Sequence, residues 1–201
     1  SSSAALTQTV NAAGNTITFN KPPDTPFTST PPTLNATATS GVAPTYASNS
    51  GPVCTVTSAG VITFISAGVC SITASQGATG NYAAATPVTQ TFNVTAGVNT
   101  ITFNKPADTP FTSPPPVLNA TATSGVAPAY TSNSRPVCTV TSAGAITFIS
   151  AGVCSITASQ GATGNYGAAT PVTQTFNVTA GVNTITFNKP PDTPFTSTPP
   201  T

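Results

Sequence analysis

Apolar residues alternate with threonine and serine along most of this chain. Thr16-Ile17-Thr18-Phe19 sets the pattern, and Cys54-Thr55-Val56, Ile62-Thr63-Phe64 and Phe92-Asn93-Val94 repeat it. A period of two puts successive side chains on opposite faces of an extended strand, so each run carries one apolar and one hydroxyl-rich face. Before residue 99 the runs are 16–20, 33–39, 44–48, 53–57, 61–65, 69–75 and 88–95, separated by Gly, Pro, Asn and Ser. These runs predict a sandwich of about seven short strands. Its inward face takes Ile17, Phe19, Leu34, Ala36, Ala38, Cys54, Val56, Ile62, Phe64, Cys70, Ile72, Phe92 and Val94.

The octapeptide NTITFNKP stands at Asn15, Asn99 and Asn183, a period of 84 residues. The copies 15–98 and 99–182 differ only at positions 23, 30, 33, 45, 47, 51, 61 and 83 and their partners 84 further on. Such self-similarity predicts tandem domains. The expected organisation is the last strand of a preceding repeat over 1–14, repeats over 15–98 and 99–182, and the first strand and Pro-rich edge of a following repeat over 183–201. Strands left over in mid-repeat lack pairing partners, so the chain reads as a window on a longer array. The alternative is that the overhanging strands are donated to neighbouring chains. Each repeat also carries a proline-rich run, KPPDTPFTSTPP at 21–32 in the first. Proline donates no ladder hydrogen bond, so this run fits an edge segment that passes between sheets and protects against edge-to-edge aggregation.

Composition narrows the function. Four Lys or Arg, three Asp, no His and a net charge of +1 leave no electrostatic footprint for nucleic acid or an anionic membrane. No apolar run approaches the roughly 20 residues that span a bilayer, so no membrane insertion is expected here. Only 3% of residues are charged, and Thr, Ser and Asn supply the polarity. Such a surface suits an extracellular location or a packed assembly.

Each repeat holds two cysteines, Cys54 and Cys70 in one and Cys138 and Cys154 in the other, with no histidine to accompany them. Regular cysteine pairs without histidine favour disulfides in an oxidising compartment over zinc. In a flat three-strand meander Cys54 and Cys70 would lie roughly 9.6 Å apart. A disulfide tolerates about 7 Å between Cα atoms. A bond therefore requires the later strand to cross to the opposite sheet, where the pair would act as a structural staple.

Catalysis lacks its side chains. With no histidine, no hydroxyl or thiol has an imidazole base, and each repeat has a single carboxylate, Asp24 or Asp108. Carboxylates 84 positions apart belong to different repeats, whereas a paired-carboxylate hydrolase needs them within about 10 Å. No enzyme activity, cofactor or metal is expected. Calcium-clamped linkers are not expected either, since they need several carboxylates. The pairs Lys21 with Asp24 and Lys105 with Asp108 admit two readings: a lysine–asparagine amide crosslink with an acidic catalyst, using Asn20 in the first repeat, or an exposed ion pair. The crosslink needs a desolvated lysine, and a turn-rich segment favours the ion pair. Asn35, Asn93, Asn119 and Asn177 begin N-x-T sequons, and Arg135, which replaces Gly51, is the one charge that distinguishes the repeats.

The succession TITF, LNATATSGVAPTYASNS, PVCTVTSAGVITFISAGVCSITASQ and GNYAAATPVTQTFNV resembles the bacterial immunoglobulin-like (Big-type) repeats found in tandem in large secreted and cell-surface proteins. The resemblance covers essentially the whole chain. It implies tandem immunoglobulin-like β-sandwiches with disulfides Cys54–Cys70 and Cys138–Cys154. It further implies a structural segment of an extracellular filament or surface stalk, whose partners are neighbouring repeats of the same protein and which self-associates into fibres. The alternative reading is an adhesin module that recognises a glycan or host protein through inter-strand loops such as 78–86.

Overall fold

The computed structural model describes residues 8–192 of the chain. Every regular element among them is a strand. In the first repeat these are β1 (Ile17–Thr18), β2 (Thr25–Pro26), β3 (Thr37–Ala38), β4 (Thr45–Ser48), β5 (Cys54–Val56), β6 (Ile62–Phe64), β7 (Gly68–Gln76) and β8 (Ala85–Thr95). The second repeat follows the same order: β9 (Ile101–Thr102), β10 (Thr109–Pro110), β11 (Thr121–Ala122), β12 (Ala129–Ser132), β13 (Cys138–Val140), β14 (Ile146–Phe148), β15 (Gly152–Gln160) and β16 (Ala169–Thr179). A four-stranded sheet, β2-β8-β7-β4, faces the two-stranded pairs β1-β3 and β5-β6, and the second repeat has the sheets β10-β16-β15-β12, β11-β9 and β13-β14. The protein is all-β, a sandwich of short strands.

The proline-rich run passes between sheets. β1 pairs antiparallel with β3, Ile17 opposite Ala38, whereas β2 pairs parallel with β8, Thr25 opposite Val94. Pro22, in the crossing, is buried, and a proline there leaves no backbone donor without an acceptor. The run is thus also a strand, β2, which alternation did not reveal because prolines interrupt its pattern. Conversely, the run expected at 33–39 shortens to β3. The Ala36 N–H donates to the Tyr46 hydroxyl at 2.8 Å, so it is not free to extend a ladder.

Phe19, Cys54, Ile62, Cys70, Ile72, Ala74, Phe92 and Val94 form the buried core of the first repeat, with Ile17, Leu34, Ala36, Val56 and Phe64 half-buried against it. Most of the inward positions read from alternation lie there. Tyr46 joins them edge-on to Phe19, ring centroids 5.7 Å apart. A small polar cluster closes one side. Asn15 Nδ2 and Ser40 Oγ both donate to Gln76 Oε1, at 2.7 and 2.9 Å, and Gln76 Nε2 donates to the Val42 carbonyl at 2.7 Å. The second repeat has the same cluster in Asn99, Ser124, Gln160 and Val126. Gln76→Ala is expected to lower stability by about 1–3 kcal/mol, because it leaves the buried Asn15 amide and the half-buried Ser40 hydroxyl without their acceptor and the Val42 carbonyl without its donor. The midpoint of denaturant unfolding measures the loss.

The chain condenses into two compact units that do not follow the repeat boundaries. One holds the described residues through Phe103 with Ala120–Pro128 and Ala158–Val172; the other holds Asn104–Asn119, Ala129–Thr157 and the described residues from Thr173. In the second unit Ile156, Phe176, Val178 and both cysteines are buried, and Phe148 lies 6.2 Å from Phe176. Of the segment expected to end a preceding repeat, 1–7 lies outside the described residues and 8–14 shows only an isolated bridge at Ala13. Of the expected following head, 193–201 lies outside them and 183–192 contains no strand.

Candidate functional site

Cys54 and Cys70 are fully buried and joined by a disulfide, with Cα atoms 5.7 Å apart. Cys54 lies on β5 in a two-stranded pair and Cys70 on β7 in the four-stranded sheet, so the bond crosses the core. Ser50 braces it: its Oγ accepts the Ser71 N–H at 2.8 Å, and its carbonyl accepts the N–H groups of Val53 and Cys54. Gly68 makes room beside it. Its φ is +146°, and a Cβ there would sit 3.0 Å from Val53 Cγ2. The second repeat has the same bond between Cys138 and Cys154, Cα atoms 5.6 Å apart.

The acidic residues act as ties between strands. Asp24 Oδ1 accepts the Asn93 N–H at 2.8 Å and Oδ2 accepts Asn93 Nδ2 at 3.0 Å, which fastens the proline-rich edge to β8. Asp108 holds Asn177 in the same way, at 2.8 and 2.9 Å. Lys21 stands 3.5 Å from Asp24 and Lys105 3.8 Å from Asp108, with both lysine side chains more than half exposed. The Asn93 backbone donor, then its side chain, and to a smaller degree Lys21 hold the Asp24 carboxyl below its usual range; Asn177 and Lys105 do the same to Asp108. Exposed lysines and ionised carboxylates make a surface ion pair, without the desolvation that an amide crosslink needs. Sequence spacing could not show Asn93 as Asp24's partner, 69 positions away. Its side chain, like that of Asn177, is engaged, whereas the sequon residues Asn35 and Asn119 are exposed.

Acid is expected to loosen these ties. A carboxyl whose folded titration is depressed contributes stability above its unfolded value and loses it as pH falls through the folded one. The melting temperature of the wild type should therefore fall more steeply below about pH 4, where free carboxyls protonate, than that of the Asp24→Asn, Asp108→Asn variant.

The Gly-Asn-Tyr loop after β7 is a docking point. Thr79 and Tyr82 exchange backbone hydrogen bonds of 3.0 and 2.8 Å around Gly80 and Asn81. The segment preceding β1 lies against this turn: Ala13 N–H donates to the Asn81 carbonyl at 2.6 Å, and the Ala83 N–H donates to the Ala13 carbonyl at 2.8 Å. Within the first compact unit Gly97 does the same at the second loop, donating to the Asn165 carbonyl at 2.8 Å and accepting from Gly167 N–H at 2.9 Å. That loop makes two further contacts. Asn165 Oδ1 accepts the Ala67 N–H at 2.9 Å, and the Tyr166 ring meets Phe27 edge-on at 6.0 Å. Gly97 is buried where a Cβ would stand 2.5 Å from Thr28 Cγ2. Sequence reading named the loop at 78–86 only as a recognition surface for foreign partners; Phe27, Ala67 and Gly97 gave no signal, since each meets it through the fold alone.

Among the described residues no three His, Cys, Asp or Glu gather as a metal-binding group, and no helix is long and apolar enough to cross a membrane. No family model matches the chain, and no curated protein matches it in sequence. Among solved structures, a mouse cadherin-23 fragment (EC22-24) aligns with 13% identity and a TM-score of 0.34, over 83% of this chain and 64% of that one. Domains 1-6 of the surface layer protein SbsC align with 18% identity and a TM-score of 0.33, over 88% and 29%. Domains 4 and 5 of the S-layer protein SbsC give 16% and 0.30, over 85% and 100%. The chain thus spans less than two thirds of the cadherin-23 fragment's length. Likenesses this distant carry no argument about function, and the all-β assignment rests on the strand pairing itself.

Proposed function

We propose that the chain is a structural segment of an extracellular filament or surface stalk, built from repeats over 15–98 and 99–182. One observation carries this reading: the repeat's own surfaces serve its neighbour, the Asn165-Tyr166 loop seating on Phe27, Ala67 and Gly97. A loop used in this way works as a joint and not as a recognition surface for a foreign ligand. The buried disulfides favour an oxidising compartment, extracellular or at the cell surface. The nearly uncharged, threonine-rich exterior offers little repulsion to packing. The role is mechanical, with no catalytic residue assigned.

Electron microscopy of the secreted protein tests this. Fibres or stalks with an axial repeat of one or two domain lengths are expected, about 30–40 Å each if a strand of roughly ten residues sets the length. Particles without such a repeat, together with tight binding of the chain to a glycan or matrix protein, would overturn the proposal in favour of an adhesin module.

A further inference from the structure

Eight positions distinguish the two repeats, and three of them converge on one place in the second. Thr45 becomes Ala129 and Ala47 becomes Thr131, which moves a hydroxyl two residues along the exposed face of β12, toward the turn before β13. Gly51 becomes Arg135 in that turn. Thr131 and Arg135 line a cleft of about 200 Å³ with Tyr130, Ser132, Thr139 and Val140, all within the second compact unit. Tyr130 is buried and Val140 half-buried, which gives the cleft an apolar wall, whereas Thr131, Arg135 and Thr139 are exposed. Lys21, Lys105 and Lys189 each stand in an ion pair with an aspartate. The Arg135 guanidinium has no such partner among the described residues, and no other side chain there bonds the Thr131 or Thr139 hydroxyl.

We infer that this cleft binds a carboxylate-bearing sugar residue, a uronate, of an acidic polysaccharide. The planar guanidinium offers two parallel N–H donors that match a carboxylate. The Thr131 and Thr139 hydroxyls each donate and accept, as the ring hydroxyls of a sugar require. The volume is below the roughly 300 Å³ at which pockets for drug-sized ligands begin, and it suits a single ring. The chain's own aspartates are already held by lysine, and Asp24 and Asp108 by asparagine as well, so the carboxylate comes from another kind of molecule. A single cation leaves nucleic acid without the run of phosphate contacts that it needs. The first repeat has no equivalent site, since Ala47 and Gly51 supply neither hydroxyl nor charge. This binding adds to the stalk reading and does not depend on it.

Amide NMR spectra of the 201-residue chain titrated with glucuronate test the site. Shifts should saturate with a Kd on the order of 1 mM, the scale of a few hydrogen bonds at an open cleft. They should fall at Thr131, Arg135 and Thr139 and not at the equivalent Ala47, Gly51 and Thr55. Glucose, which lacks the carboxylate, should bind at least about tenfold more weakly, and glucuronate should lose as much on Arg135→Gly, which restores the residue of the first repeat. Ala47→Thr combined with Gly51→Arg should give the first repeat a second site of similar affinity. A Cβ at Gly51 meets nothing within 4 Å, so the fold has room for it. Melting curves matching the wild type establish that both variants fold. No saturable shift by about 10 mM, binding that ignores Arg135→Gly, sulfate binding as well as glucuronate, or no second site in the combined variant would each overturn the inference. So would the same shifts on concentrating the protein alone, which would assign the cleft to a second copy. Fibres with the expected axial repeat alongside any of these results would leave the stalk reading standing and discard only this site.

Discussion

Replacing Cys54 and Cys70 together by alanine is expected to destabilise the first repeat by about 3 kcal/mol, the chain-entropy value for closing a loop of roughly 15 residues. The bond lies at the centre of the core, both sulfurs wholly buried, and it joins strands of different sheets. Without it, the β5-β6 pair loses its covalent link to β7 and is held by the buried Ile62, the half-buried Val56 and Phe64, the Ser50 bonds and the Ser48 hydroxyl on the Cys54 carbonyl. A domain with a total stability of about 5–15 kcal/mol would lose a large share of it. Calorimetry of the variant measures the effect, and the wild type in reductant should shift in the same direction. Mass spectrometry of unreduced peptides should join the Cys54 and Cys70 peptides; free thiols there, or melting indifferent to reductant, would contradict the role assigned to the bond.

Phe92→Ala is expected to cost about 3–5 kcal/mol, the range for emptying a buried aromatic site. Phe92 is 2% exposed, lies opposite Cys70 in the β7-β8 register and sits 6.2 Å from Phe64. It fills the space beside the disulfide, where neighbouring strands cannot close in without breaking their ladders. Phe176, 1% exposed, should respond alike. Phe92→Leu keeps most of the buried volume and should cost distinctly less. Denaturant unfolding of the three variants separates these outcomes, and a Phe92→Ala loss below about 1 kcal/mol would mean that the core collapses around the gap.

What the sequence makes visible follows from the range of the physics involved. Phe19, Ile62, Ile72 and Val94 are legible because alternation is local, and a one-residue slip would turn each of them outward. β2 is hidden by its own prolines, and the shortening of β3 depends on a hydroxyl ten residues away. The polar cluster of Asn15, Ser40 and Gln76 spans 61 positions, and the tie from Asp24 to Asn93 spans 69. Nothing at either end marks the other, since asparagine and serine recur throughout this chain and only the fold selects which are buried. The joint around Gly97 is less legible still: an alanine stands at the equivalent place before the first repeat, and only Thr28 on the far side explains the glycine.

The disulfide also sets how much chain each repeat can release under tension. Cys54 and Cys70 are 16 positions apart, and their covalent shortcut keeps everything between them out of the load path even after every strand has unzipped. At about 3.4 Å of contour per residue, each repeat withholds roughly 50 Å of slack. A pulled array of such repeats would show unfolding steps shortened by that length, and reduction would restore it. The same bond that holds two sheets together at rest therefore acts as a stop on extension.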